Sequence, residues 1–332
     1  SNPQLLEIQA NMAPVMAAHS DNIHLNSALF NRIDSLHVQR NALNLTAEEV
    51  RLIEVYHQRF VLAGAKLTDS QKAKIRLLNE EQSTLTNEFS QRLMTLTKQN
   101  AVVIDSVEEL AGLSDSSIRA AKVDAEAQGY PDKYLLNITN TTRQPVLAKL
   151  ENRQLRERIW LASANRGLSG ENETASLVSR LAQLRAERAA LLGFKSWADY
   201  QLAPQMAKTP EAVYSMFGSM VPAVVANTEK EAADIQAMIT KTGGNFTLAP
   251  WDWEFYAEKV RQDKFDLDSG SIKPYFEFER VLQDGVFFTL EKLYGVTLKP
   301  RPDLPVYHED VKAYEMFDVD GSSMAIFYAD YF

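Results

Sequence analysis

Residues 306–312 read Val-Tyr-His-Glu-Asp-Val-Lys and contain the chain's one His-Glu pair. Such a pair opens the zinc pattern His-Glu-x-x-His, in which histidines at i and i+4 share one helix face and close on one metal. Four residues beyond His308 stands Lys312. A protonated lysine has no lone pair to offer, so the second ligand is missing at the position the pattern depends on most. The surroundings also disfavour a helix: Val311 to Val319 alternates apolar and polar residues and then meets Asp320-Gly321, which is strand and turn chemistry. His308 is therefore expected to be a loop histidine.

The remaining candidates fare no better. His19, His24, His37 and His57 show no i, i+4 spacing among themselves. Glu80-Glu81 and the Glu229/Glu231 pair fall on polar helical stretches, where solvated charge is the ordinary role and acid/base work the exception. Asp318-x-Asp320-Gly321 lacks the further ligands of a calcium loop and reads as a turn. Trp251, Trp253, Phe255 and Tyr256 offer a ligand platform or, more simply, core aromatics. There is no nucleophile elbow, phosphate loop or dinucleotide fingerprint. The residues thus supply no catalytic, cofactor-binding or metal-ligating set.

The elements that would position such groups are mostly helices. From Ser70 to about Gln99, Ile75, Leu78, Leu85, Phe89 and Leu93 recur at steps of three and four through charged sequence, which predicts one long amphipathic helix. The segments from Val146 to about Ala164 and from Thr174 to Leu192 read as helices too, the second closed by Gly193. Thr209-Pro210 supplies an N-cap and a first-turn proline for a helix reaching about Thr242, kinked at Pro222 and stopped by Gly243-Gly244. Further helices are expected from about Trp251 to Asp263 and from about Phe276 to Tyr294, the latter ended by Gly295. Two regions break the rhythm. The runs 100–106 and 133–139 are expected to pair as a small antiparallel unit, and Val311–Val319 with Ser323–Phe332 to form a hairpin around Asp320-Gly321.

Bulk composition narrows the partners. The chain has 332 residues, 45% of them hydrophobic, enough for a substantial core. Its net charge of −9 and lack of a basic run argue against nucleic acid. Cysteine is absent, which excludes disulfides and thiolate chemistry and permits a reducing, cytoplasmic setting. No apolar stretch long enough for a membrane span occurs, and no signal peptide is visible at Ser1. Both ends are expected to be cuts: a helix is under way within three residues of Ser1, and the chain stops on an apolar strand at Phe332.

Several stretches taken together resemble one family. They are HQRFVLAGAKL (57–67), LLGFKSWADYQLAPQMAKTPEAV (191–213), PWDWEFYAEKVR (250–261), KFDLD (264–268), IKPYFEFERVLQDGVFF (272–288) and PVYHEDVKAYEMFDVDGSSMAIFYADYF (305–332). The resemblance is to the zinc metallopeptidases that include thimet oligopeptidase, neurolysin and oligopeptidase A, and most to their bacterial dipeptidyl carboxypeptidase branch. It implies an elongated, mainly α-helical scaffold split by a channel, with small antiparallel β elements near 100–139 and at the C-terminal end. It also implies one zinc, held by a His-Glu-x-x-His helix and a downstream glutamate, and oligopeptide substrates. None of those ligands matches a position in this sequence. Residues 1–332 are accordingly expected to form the N-terminal and middle part of one metallopeptidase unit, with a β-sheet beginning at about 296–332 and the zinc region in the same polypeptide beyond Phe332. Such a part is expected to be inactive alone. An endo-acting oligopeptidase of the same family and a non-catalytic helical peptide-binding scaffold are the competing readings.

Overall fold

The computed structural model describes residues 2–266 and 269–331; Leu267 and Asp268 of the KFDLD stretch, and the final Phe332, lie outside the described residues. Helix accounts for well over half of them. The chain divides into two compact units, Ser1–Val260 and Arg261–Phe332.

The first unit begins with four helices, α1 (Pro3–His24), α2 (Ser27–Gln39), α3 (Ala47–Ala63) and α4 (Asp69–Gln99). Local sequence sets their ends. Thr46 with Glu49 and Thr68 with Gln71 form reciprocal capping boxes that satisfy the first free N–H groups of α3 and α4. Gly64 closes α3 at φ 109°, where an added Cβ would sit 2.9 Å from Leu67 Cδ1. The predicted stripe of α4 is partly buried, with Ile75 and Leu78 inside. Polar side chains fasten α4 to α1: Ser83 Oγ donates to the Ala13 carbonyl at 2.9 Å and Gln91 Nε2 to the Leu6 carbonyl at 2.9 Å.

The expected small β unit forms. Strands β1 (Val102–Ile104) and β2 (Tyr134–Leu136) pair antiparallel, Val102 opposite Leu136, and α5 (Asp115–Ala127) lies between them in sequence. Their buried side chains join Leu110, Leu147, Leu150, Leu155 and Ile159 in one core.

The helix expected over Val146 to Ala164 is two helices, α6 (Asn140–Lys149) and α7 (Arg153–Ala164). Apolar spacing continues across the break, so periodicity does not reveal it. Asn152 does: its side-chain oxygen accepts from Leu155 N at 3.1 Å and starts a new helix. Then follow α8 (Ala175–Leu191), α9 (Trp197–Leu202), α10 (Pro210–Lys241) and α11 (Trp253–Phe265), the last preceded by one 3₁₀ turn, Pro250–Asp252. Helix α10 is continuous through Pro222, and its C-terminal end packs Ile235, Met238 and Ile239 on Phe255 and Tyr256.

In the second unit α12 (Ser269–Ile272) and a 3₁₀ turn precede α13 (Phe278–Arg280), a π-helical stretch Val281–Phe287 and α14 (Phe288–Tyr294), which ends at Gly295 as expected. The sheet runs β3 (Thr297–Pro300), β4 (Lys312–Phe317), β5 (Ser323–Ala329), antiparallel throughout. The Asp320-Gly321 hairpin is therefore present, with a bulge at Met316/Phe317. Leu282, Tyr314 and Ala329 make the core of this unit.

Candidate functional site

His308 lies in the loop ahead of β4, its side chain 62% exposed and its Nδ1 3.4 Å from Asp310 Oδ2. Lys312 pairs with Glu279. The pattern is broken in structure as it is in sequence: one histidine is solvated and the residue in the second ligand position is engaged in an ion pair on a strand.

The other histidines do not converge on a metal either. His37 and His57 stack face to face, centroids 3.9 Å apart and planes 6° from parallel. Their ring nitrogens' lone pairs lie in those parallel planes, and His57 Nε2 is already bonded to Asp34 Oδ1 at 2.9 Å. Burial, with the neighbouring His57 second, holds His37 below its ordinary pKa. His24 packs on Phe60, ring centroids 5.0 Å apart. No group of three potential ligands occurs among the described residues. A zinc ion does not fit the donors that the described residues bring together.

Four of the acidic candidates, Glu81, Glu231, Asp318 and Asp320, have structural partners. Glu81 takes a two-pronged ion pair from Arg180 at 2.6 and 2.8 Å, which keeps its carboxyl below the usual range. Glu231 accepts from Asn227 at 2.7 Å within α10. Asp318 and Asp320 bond Ser322 and the hairpin turn.

Sequence reasoning missed the most heavily built polar cluster, which sits where the aromatic segment meets α7. Asp252 is fully buried and Arg156 is 1% exposed. Arg153 reaches the carboxylate through Nε at 3.0 and 3.2 Å and through a second nitrogen at 2.8 Å; Arg156 reaches it at 3.0 Å. The Ala249 backbone N–H donates to Asp252 at 3.2 Å. Arg156 also donates to the Leu150, Glu151 and Trp251 carbonyls at 2.9, 3.0 and 3.2 Å, the first two just past the end of α6. Both guanidiniums lie over rings, Arg153 4.1 Å from the Phe246 centroid and Arg156 4.2 Å from that of Phe255. Asp252 raises the pKa of Arg153 further, so that guanidinium stays charged at all accessible pH. Beside the cluster Leu248, Ala249, Pro250, Trp253 and Glu254 line a cavity of about 490 Å³. Its wall is apolar apart from Glu254, so it can seat an apolar side chain. Of the aromatic candidates, Phe255 and Tyr256 are core and Trp251 abuts Trp160 edge to face. The sequence signal for this cluster was the odd placement of Arg156 between Leu155 and Ile159, two residues of a buried stripe.

A helical frame, a small terminal sheet and a Trp-Asp-Trp segment locked by two arginines belong here to a chain with recognisable relatives. The sequence profile of Peptidase family M3 matches residues 146–332. The chain belongs to that family. Across its whole length it is 43% identical to the protein named Dipeptidyl carboxypeptidase of Escherichia coli (strain K12), covering 100% of this chain and 49% of that relative. It is 27% identical to Oligopeptidase A of the same organism, over 99% of this chain and 49% of the relative. Saccharolysin of Saccharomyces cerevisiae is 24% identical over 85% of this chain and 40% of its own length. The chain spans about half the length of these two bacterial relatives. No helix among the described residues is long and apolar enough to cross a membrane.

Proposed function

We propose that this chain is the N-terminal and middle part of a zinc-dependent dipeptidyl carboxypeptidase, a cytoplasmic enzyme that removes dipeptides from the free C-termini of oligopeptides. The observation that carries the reading is 43% identity to a protein of that name over 100% of this chain. In this reading both compact units belong to one metallopeptidase, and the zinc ligands reside in the rest of the same polypeptide. The metal supplies a water activated near neutral pH and a polarised scissile carbonyl. The residues of this chain supply walls and positioning: capped helices, the Arg153–Arg156–Asp252 lock, and a short sheet. Among the described residues no group of three potential metal ligands comes together.

Two measurements test this together. The 332-residue chain is expected to retain no stoichiometric zinc after dialysis and to cleave no peptide. The full-length polypeptide is expected to release dipeptides stepwise from a peptide with a free C-terminus, to lose that activity to a chelator and to regain it with zinc. Products are read by mass spectrometry on one peptide offered with a free and with an amidated C-terminus. Equal internal cleavage of both forms would replace the exo-acting reading with an endo-acting oligopeptidase of the same family. One tightly held zinc per 332-residue chain would overturn the assignment of the metal to residues outside it.

A further inference from the structure

Helix α10 has two halves of different character. The C-terminal half is anchored, with Ile235, Met238 and Ile239 buried. The N-terminal half is not: every residue from Tyr214 to Glu231 is exposed. Between Glu211 and Glu229 the sequence contains no charged residue at all. At 100° per residue, Met216, Phe217, Met220, Val221 and Val224 fall on one broad apolar half of the helix. These five are between 46% and 56% exposed, and Tyr214 at their edge is 72% exposed. The opposite half carries Ser215, Gly218, Ser219, Pro222 and Ala226, small side chains that leave the backbone approachable. Space for a Cβ at Gly218 is entirely open. Pro222 has no N–H to give the Gly218 carbonyl, so that acceptor is also left for an outside donor.

A helix uncharged on every side and apolar over half its circumference is a buried element by composition, and uncovered apolar patches of this size mark interaction surfaces. A twofold partner copy would lay one face against itself and leave the other half uncovered. An occupant that wraps both halves fits better. The relatives are about twice as long as this chain, which spans 49% of the dipeptidyl carboxypeptidase. We propose that the N-terminal half of α10, from Tyr214 to Thr228, is the helix on which the remaining half of the same polypeptide packs, seated against Phe217, Met220 and Val224. This rests on the reading of the chain as part of a longer peptidase and adds the surface through which the parts join.

Methionine oxidation tests it. The 332-residue chain and the full-length polypeptide are treated with dilute hydrogen peroxide, and oxidation of Met216 and Met220 is followed by peptide mapping. At least tenfold slower oxidation of both residues in the full-length polypeptide is expected. A Val224→Asp substitution should lower the thermal midpoint of the full-length polypeptide while leaving that of the 332-residue chain unchanged. Equal oxidation rates in the two proteins would overturn the proposal. So would protection in the 332-residue chain that vanishes on dilution with a dimeric mass by light scattering, which assigns the helix to a second copy, or protection that requires phospholipid vesicles. Dipeptide release measured on the same full-length sample separates the two claims. An active enzyme with fast-oxidising methionines defeats the docking alone, and protected methionines without release defeat the peptidase reading alone.

Discussion

Replacing Asp252 by alanine removes the only carboxylate among the described residues that bonds Arg156, a guanidinium 1% exposed to solvent. Arg153, on the rim with 36% of its side chain exposed, can turn to water and is little affected. Arg156 keeps three carbonyl acceptors, yet its charge becomes uncompensated in the interior. Breaking a buried pair in this way costs about 3–5 kcal/mol, and the Ala249 N–H loses its acceptor for about another 1 kcal/mol. Whole-domain stabilities are about 5–15 kcal/mol, so the loss is a large fraction of the total. With a urea m-value of about 3 kcal/mol/M, a 4 kcal/mol loss moves the unfolding midpoint down by about 1.3 M. The assay is urea unfolding of the 332-residue chain followed by circular dichroism, with Asp252→Ala, Arg156→Met and the double variant in one cycle. The double variant is expected to be more stable than the sum of the singles implies by about 2 kcal/mol or more, because it leaves no buried charge behind. A midpoint shift below about 0.3 M for Asp252→Ala, or strict additivity, would refute the account of the cluster as a charge lock.

Two further outcomes follow from the geometry. Gly295 ends α14 at φ 74° with an added Cβ placed 2.4 Å from Val319 Cγ2, so Gly295→Ala is expected to destabilise by about 1–3 kcal/mol through left-handed strain and the clash, read as an earlier loss of near-ultraviolet signal on heating. The His37 pKa is depressed in the fold by burial first and by the facing His57 and Arg40 next, with Asp34 and Glu54 acting in the opposite sense. The unfolded chain therefore binds the proton more readily, and this contribution to stability, present above the ordinary histidine pKa, is lost as pH falls through it toward the lower folded value; His37→Phe should flatten that part of the thermal midpoint's pH profile between about pH 7 and 5, and an unchanged profile would reject the assignment.

Helices whose stripe and caps agree were legible in the sequence: α4, α8 and α10 begin and end within a residue or two of the expected positions, and the Asp320-Gly321 hairpin lies where its turn chemistry puts it. What escaped was set by tertiary context. The break before Asn152 is hidden because the apolar spacing of α6 carries on into α7, and Arg156 serves the orphan carbonyls there only after Trp251 and Asp252 have come in from 95 and 96 residues away. The partnership of Arg153 and Arg156 with Asp252 has no local signature, since a single sequence does not pair residues 99 and 96 apart. The failed zinc pattern at His308 was readable because it turned on one residue type, Lys312, and on the strand alternation around it.

The π-helical stretch Val281–Phe287 carries a consequence for descent. Widening a helix from i→i+4 to i→i+5 pairing accommodates one more residue without disturbing the turns on either side. A relative with regular i→i+4 pairing through this stretch would need one residue fewer between Phe278 and Tyr294 to keep Gly295 and the strands that follow in the same places. Homologues that lack the extra residue would be one shorter inside an otherwise gap-free helix. Against such a relative, positions counted forward from Phe278 fall about 100° out of phase after the π-helical stretch, whereas positions counted back from Gly295 stay in phase.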